Sequence, residues 1–217
     1  MNPVGDTRRL MLLRHAKSDW PDVPDRDRPL AKRGRRDAPA IGRWLHDHGY
    51  LPDTVVCSVA RRTRQTWELL APELGGSPSV SFEPRAYAAS ALTLLYLVAE
   101  LPAASRAALL IGHNPAISEL AASLAGPQTG PGAPSPRTSF PTAAVAVLEF
   151  SGDWADLAPG QARLLDFAAP PTLGPAERWG EMTGKPAGGR MSPVTSGPRA
   201  TRPPARRPAA PAPGPRP

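Results

Sequence analysis

Six short apolar runs punctuate the chain, and the stretches between them follow a different period. The runs lie at residues 9–13 (RLMLL), 54–58 (TVVCS), 79–83 (SVSFE), 107–112 (AALLIG), 143–150 (AAVAVLEF) and 162–168 (ARLLDFA). Runs of this length read as strands, and those that are apolar throughout as strands buried on both faces. Between the first two, Ala38, Ile41, Trp44 and Leu45 recur at i, i+3, i+6 and i+7 and mark a helix over 35–48 that Gly49 ends. Further helices are predicted over 61–70, 91–101 and 115–124. Strands alternating with helices predict an α/β fold, a three-layer α/β/α sandwich around a mostly parallel sheet of about six strands. The last two runs have no helix between them, so one antiparallel strand is expected there. Residues 125–141, rich in Pro and Gly, read as a long loop.

The polar groups that stop the apolar runs carry the chemistry. In open parallel sheets, ligands bind beyond the carboxyl ends of the strands. The first run stops at Arg14-His15, the second leads through Cys57-Ser58 into VARRTRQT, and the fourth stops at Gly112-His113-Asn114-Pro115. Two histidines and several arginines therefore converge on one edge of the sheet. Such a set suits phosphoryl transfer: a neutral imidazole attacks phosphorus, and arginine forks match the phosphoryl oxygens and offset the charge spreading over them. The backbone N–H groups of helices opening at the same edge add to that field.

These motifs resemble the histidine phosphatase superfamily, which has the phosphoglycerate mutase-like fold. LLRHAKS (12–18) resembles its Arg-His nucleophile motif, CSVARRTRQT (57–66) its second-strand arginine motif, and LIGHNP (110–115) its second histidine. DRPLAKRGRRDA (27–38) is similar to the helix entry of the small SixA-type phosphohistidine phosphatases. The likeness spans about residues 8–168. It implies that His15 is the residue phosphorylated, that Arg14 and Arg62 (rather than Arg61) hold the phosphate, and that His113 donates to a phosphoryl oxygen. Lys17, Ser18 and Asn114 are expected beside the substrate, Asn114 also as a cap of its own turn. Departures from the family pattern are Ala16, Val59 and Thr63, where glycine, proline and alanine are frequent.

Glu83 ends the third run and is the candidate general acid. Its role bears on the substrate, because an alkyl ester expels a poor leaving group that needs a proton, whereas phosphohistidine expels an imidazole that needs far less help. Only about forty residues, 70–108, hold one strand and one helix, which leaves little chain for a cap; an open site admits a protein side chain. The expected partner is thus a phosphohistidine protein or, alternatively, a small phosphate ester. A cysteine-based phosphatase would need arginine six positions after Cys57, where Thr63 stands. No metal or cofactor is expected, since His15 and His113 lack evident co-ligands. An inactive phosphate binder is a further alternative, disfavoured by a nucleophile set beside an arginine.

Composition then separates the chain into two parts. Thirty prolines are concentrated toward the end, and residues 170–217 hold eight basic residues against two acidic ones, a net of +6 out of the chain's +7. The basic balance therefore describes a Pro/Ala/Arg-rich tail, expected to be disordered, rather than a nucleic-acid-binding core, with weak nucleic-acid or acidic-partner contact left to the tail. Residues 1–169 form the expected catalytic domain. A single cysteine excludes an intrachain disulfide, and no run reaches the roughly 18 apolar residues of a membrane span, so a cytoplasmic bacterial protein with no membrane contact is expected.

Overall fold

The computed structural model describes residues 7–125 and 139–170. All six strands form: β1 Thr7–Arg14, β2 Thr54–Ser58, β3 Ser79–Glu83, β4 Ala107–Gly112, β5 Val145–Ser151 and β6 Arg163–Ala168. They make one sheet in the order β3-β2-β4-β1-β5-β6. The first four positions are parallel, β5 runs antiparallel to both β1 and β6, and the antiparallel strand thus falls where the missing helix predicted it. Four helices connect them: α1 Lys32–Asp47, α2 Arg61–Leu74, α3 Ala91–Ala99 and α4 Ala116–Ala125. The predicted tail lies, apart from Pro170, outside the described residues, as do residues 126–138 of the predicted loop. No helix among the described residues is long and apolar enough to cross a membrane.

The alternation of side chains along β1 explains the layers. Leu10 and Leu12 face one core with α3 and α4, whereas Met11 and Leu13 face a second core with α1 and α2. All four are fully buried, and each contributes about 2 kcal/mol by leaving water. A strand at the centre of a sheet covered on both faces has no room for a polar position, which is why the run is uninterrupted until it reaches the sheet edge. β3, at the opposite extreme, is an edge strand with Val80 39% and Phe82 44% exposed.

Helix α1 begins three residues before the predicted start. Its first turn, KRGRR, is polar and carries no apolar stripe, so periodicity registers the helix only from its second turn. That first turn packs on the backbone that follows His15: the Ala31 N–H donates to the Lys17 carbonyl at 2.9 Å, and a Cβ added at Gly34 would lie 2.1 Å from the same oxygen. Only glycine permits this approach. Gly34→Ala is expected to lower stability by about 1–3 kcal/mol through overpacking against backbone that cannot rotate away; urea denaturation reads this, and an unchanged midpoint would contradict the packing described.

Candidate active site

Three parallel strands, adjacent in the order β2-β4-β1, end at the same edge. Arg14 pairs in register with Gly112, and the His15 N–H donates to the Gly112 carbonyl at 3.0 Å. The strand ends therefore set His15 and His113 side by side, their ring centroids 5.2 Å apart. A cleft of about 170 Å³ opens there, lined by Arg14, His15, Lys17, Ser18, Trp20, Arg28, Arg62, His113, Asn114 and Thr142.

The proton on His15 is fixed by the backbone. Nδ1 lies 2.8 Å from the carbonyl oxygen of Ala16, an atom that only accepts, so Nδ1 carries the hydrogen and Nε2 the lone pair. The carbonyl is itself held in place, because the Ala16 N–H donates to Thr66 Oγ1 at 3.0 Å and that hydroxyl donates to the Arg62 carbonyl at 2.7 Å. Burial, aided by His113, Arg62 and Arg14, drives the pKa of His15 down to about 3 against the raising effect of the Ala16 bond. His15 is thus neutral across the physiological range, with a lone pair on Nε2.

His113 is neutral for the same first reason, burial, reinforced by Arg62 and Arg14 and opposed by Asp25, which leaves it at about 4. Its Nε2 lies 2.9 Å from Ser58 Oγ, while its buried Nδ1 has no partner. Two other buried polar atoms without a partner, Arg14 Nε and Asn114 Oδ1, also belong to residues lining this cleft. Unpaired buried groups cost free energy; their concentration here marks a place built for a polar ligand.

Arg62 is buried, whereas Arg61 is exposed and lines a neighbouring depression with Arg64. The Arg62 guanidinium donates to the Asp25 carbonyl at 2.6 Å and to its carboxylate at 3.0 Å. The same carboxylate accepts from Arg28 at 2.9 Å and from the Tyr87 hydroxyl at 2.8 Å. Burial alone would raise the Asp25 pKa, but the bonds from Tyr87, Arg28 and Arg62 prevail and hold it at about 2. Tyr87 also sets its ring edge-on to His113 at 5.7 Å. Asp25, Arg28, Trp20, Tyr87 and the side chain of Ser58 all escaped the sequence reading. Tyr87 and Ser58 meet their partners 62 and 55 residues away, and Asp25 reaches Arg62 37 residues on, beyond the reach of any local pattern.

Of the remaining candidates, Lys17 is exposed on the rim, and Ser18 is buried with its hydroxyl accepting from Arg28 at 2.9 Å. Asn114 does not cap its own turn as expected: its amide donates to the Phe140 carbonyl at 3.1 Å, alongside Arg14 at 2.8 Å. Glu83 is not brought to the cleft. Its carboxylate accepts from the Arg85 backbone and guanidinium, bonds that lower its pKa, and it faces a separate groove with Glu100. Cys57 is buried, which pushes its thiol up to about 12, so no thiolate is available for attack.

Comparison with known proteins identifies the family. The family model of the histidine phosphatase superfamily, branch 1, matches residues 10–86. An uncharacterized protein of Mycobacterium tuberculosis is 38% identical over 161 residues, covering 73% of this chain and 99% of that protein. A solved structure from Nakamurella multipartitia, provisionally assigned as phosphohistidine phosphatase SixA, is 33% identical with a TM-score of 0.67, covering 76% of this chain and 96% of its own. Its counterpart from Agrobacterium tumefaciens, provisionally assigned the same way, is 30% identical with a TM-score of 0.62, covering 75% and 99%. The chain belongs to the histidine phosphatase superfamily, in its SixA-type branch, and is a histidine phosphatase.

The burial of both rings has a direct spectroscopic consequence. At pH 5 an ordinary histidine with a pKa near 6.5 is mostly protonated, whereas His15 and His113 are expected to remain neutral, His15 with its proton on Nδ1. Ring-nitrogen NMR of the free protein measures this, and an imidazolium signal from His15 at pH 5 would contradict it.

Proposed function

We propose that this phosphatase hydrolyses phosphohistidine on a protein through a covalent phosphoryl group on His15. The observation that carries the reading is the absence of any proton-donating carboxyl among the described residues lining the cleft. Asp25, whose carboxylate braces the cleft's Arg62 and Arg28, is held ionised by three donors. Without a general acid, the site suits a leaving group that departs unaided, and an imidazole bearing a proton on its second nitrogen does so as a neutral ring. An alkoxide does not.

In the proposed sequence, the substrate's phosphoryl oxygens lie among Arg14, Arg62 and the unpartnered Nδ1 of His113, which presents its proton when the Ser58 hydroxyl donates to Nε2. The lone pair of His15 Nε2 forms the bond to phosphorus as the phosphorus–nitrogen bond to the substrate ring breaks, its electron pair passing to that ring. Arg14 and Arg62 offset the charge on the equatorial oxygens as the transition state forms. Water then attacks the phosphoryl group in line, the bond to His15 breaks, the pair returns to Nε2, and the water's proton leaves with inorganic phosphate. Lys17, Ser18 and Asn114 border the substrate in this arrangement.

Hydrolysis of a phosphohistidine protein is expected to exceed that of an alkyl phosphate by about a hundredfold or more in kcat/KM, since general acid assistance contributes 10²–10⁴-fold where a leaving group needs it. His15→Ala is expected to abolish both activities. Equal rates on the two substrates would overturn the substrate class, and an active His15→Ala would overturn the nucleophile.

A further inference from the structure

The mouth of the cleft carries a large aromatic side chain that the mechanism leaves unused. Trp20 is 75% exposed, yet it is held in place. The Arg28 guanidinium carbon sits over its ring, 3.2 Å from the centroid. That guanidinium cannot swing away, because its edges are committed to the Asp19 carbonyl, the Asp25 carboxylate and the Ser18 hydroxyl, each at 2.9 Å. The Trp20 backbone N–H donates to the Asp19 carboxylate at 2.9 Å, which steadies the main chain that carries the indole. One ring face thus rests on a fixed cation, and the indole forms part of the wall of the cavity that holds His15 and His113. Exposing so much apolar surface is unfavourable, and pre-ordering it at a ligand site favours a partner that stacks.

We infer that Trp20 is a specificity-determining residue whose open face stacks on the imidazole ring of the phosphorylated substrate. The inference rests on the reading of the site as a phosphohistidine phosphatase and adds how the leaving ring is recognised. In-line attack from His15 places the leaving group on the side of phosphorus away from that histidine, toward the mouth. In phosphohistidine the departing nitrogen belongs to the ring itself, so the ring begins one bond from phosphorus and lies at the lip where Trp20 stands. Stacking on a preordered indole fixes that ring without requiring a proton donor, which agrees with a cleft that lacks one.

The test compares two substrates that both contain a phosphorus–nitrogen bond: a phosphohistidine peptide, which has the ring, and phosphoramidate, which does not. Trp20→Ala is expected to lower kcat/KM on the peptide about tenfold, mainly through KM, while phosphoramidate turnover changes by less than about twofold. Trp20→Phe is expected to restore most of the loss and Trp20→Leu little of it. Parallel losses on both substrates would mean that Trp20 acts only by bracing Arg28 and would overturn the stacking, as would no loss on either, or full rescue by leucine. A wild-type protein that cleaves phosphoramidate but not the peptide would overturn the reading of the site together with this one, and the two failures are thereby distinct.

Discussion

One hydrogen bond, from His15 Nδ1 to the carbonyl oxygen of Ala16, decides what this cleft does. It fixes the tautomer, turns the Nε2 lone pair away from the backbone, and exists only because the chain after β1 bends sharply enough to present that carbonyl. The bend is braced from two sides. Thr66 on α2 takes the Ala16 N–H, and the first turn of α1 closes on the Lys17 carbonyl across Gly34. Two helices from the same face of the sheet thus converge on a three-residue segment, and the core between them, built on Met11, Leu13, Ile41 and Leu70, is what aims the imidazole.

Electrostatics complete the site with an unusual balance. Burial, reinforced by the neighbouring Arg14 and Arg62, keeps both rings neutral, so positive charge comes from guanidinium groups that cannot act as acids, beside an imidazole that keeps a lone pair on Nε2. Asp25 prevents this cationic cluster from flying apart: a single carboxylate engages Arg28, Arg62 and Tyr87. Because those bonds also hold it ionised, Asp25 braces the arginines without donating a proton. In the function we propose, the leaving group departs without a proton from the protein, and that is why phosphoramidates are the proposed substrates.

Much of this was legible along the chain. A central parallel strand has no polar position until it leaves the sheet, so the abrupt stop at Arg14-His15 located the sheet edge at which the cleft opens, and the stops at Ser58 and Gly112 located the neighbouring ends. The antiparallel strand followed from a missing helix. What was hidden had physical reasons. The first turn of α1 is polar because it docks on backbone rather than on apolar side chains. Glu83 stands at a strand end as expected, but Arg85, two residues on, captures its carboxylate, and nothing in a charge count tells a captured carboxylate from a free one. Asn114 turns to the Phe140 carbonyl instead of its own helix, a contact made by the return of the chain before β5. Tyr87 carries no pattern, since it matters through Asp25, far along the chain, and the local Asp25–Arg28 pair does not reveal that Asp25 also holds the distant Arg62.

The central claim is that the end of β1 delivers a neutral nucleophile, and it is tested most directly by trapping the intermediate. Wild-type protein mixed rapidly with a phosphohistidine substrate, quenched in base and digested for mass spectrometry, is expected to carry one phosphoryl group, on His15. A phosphoryl group on another residue, or turnover at full rate with no phosphoenzyme at any quench time, would contradict the account.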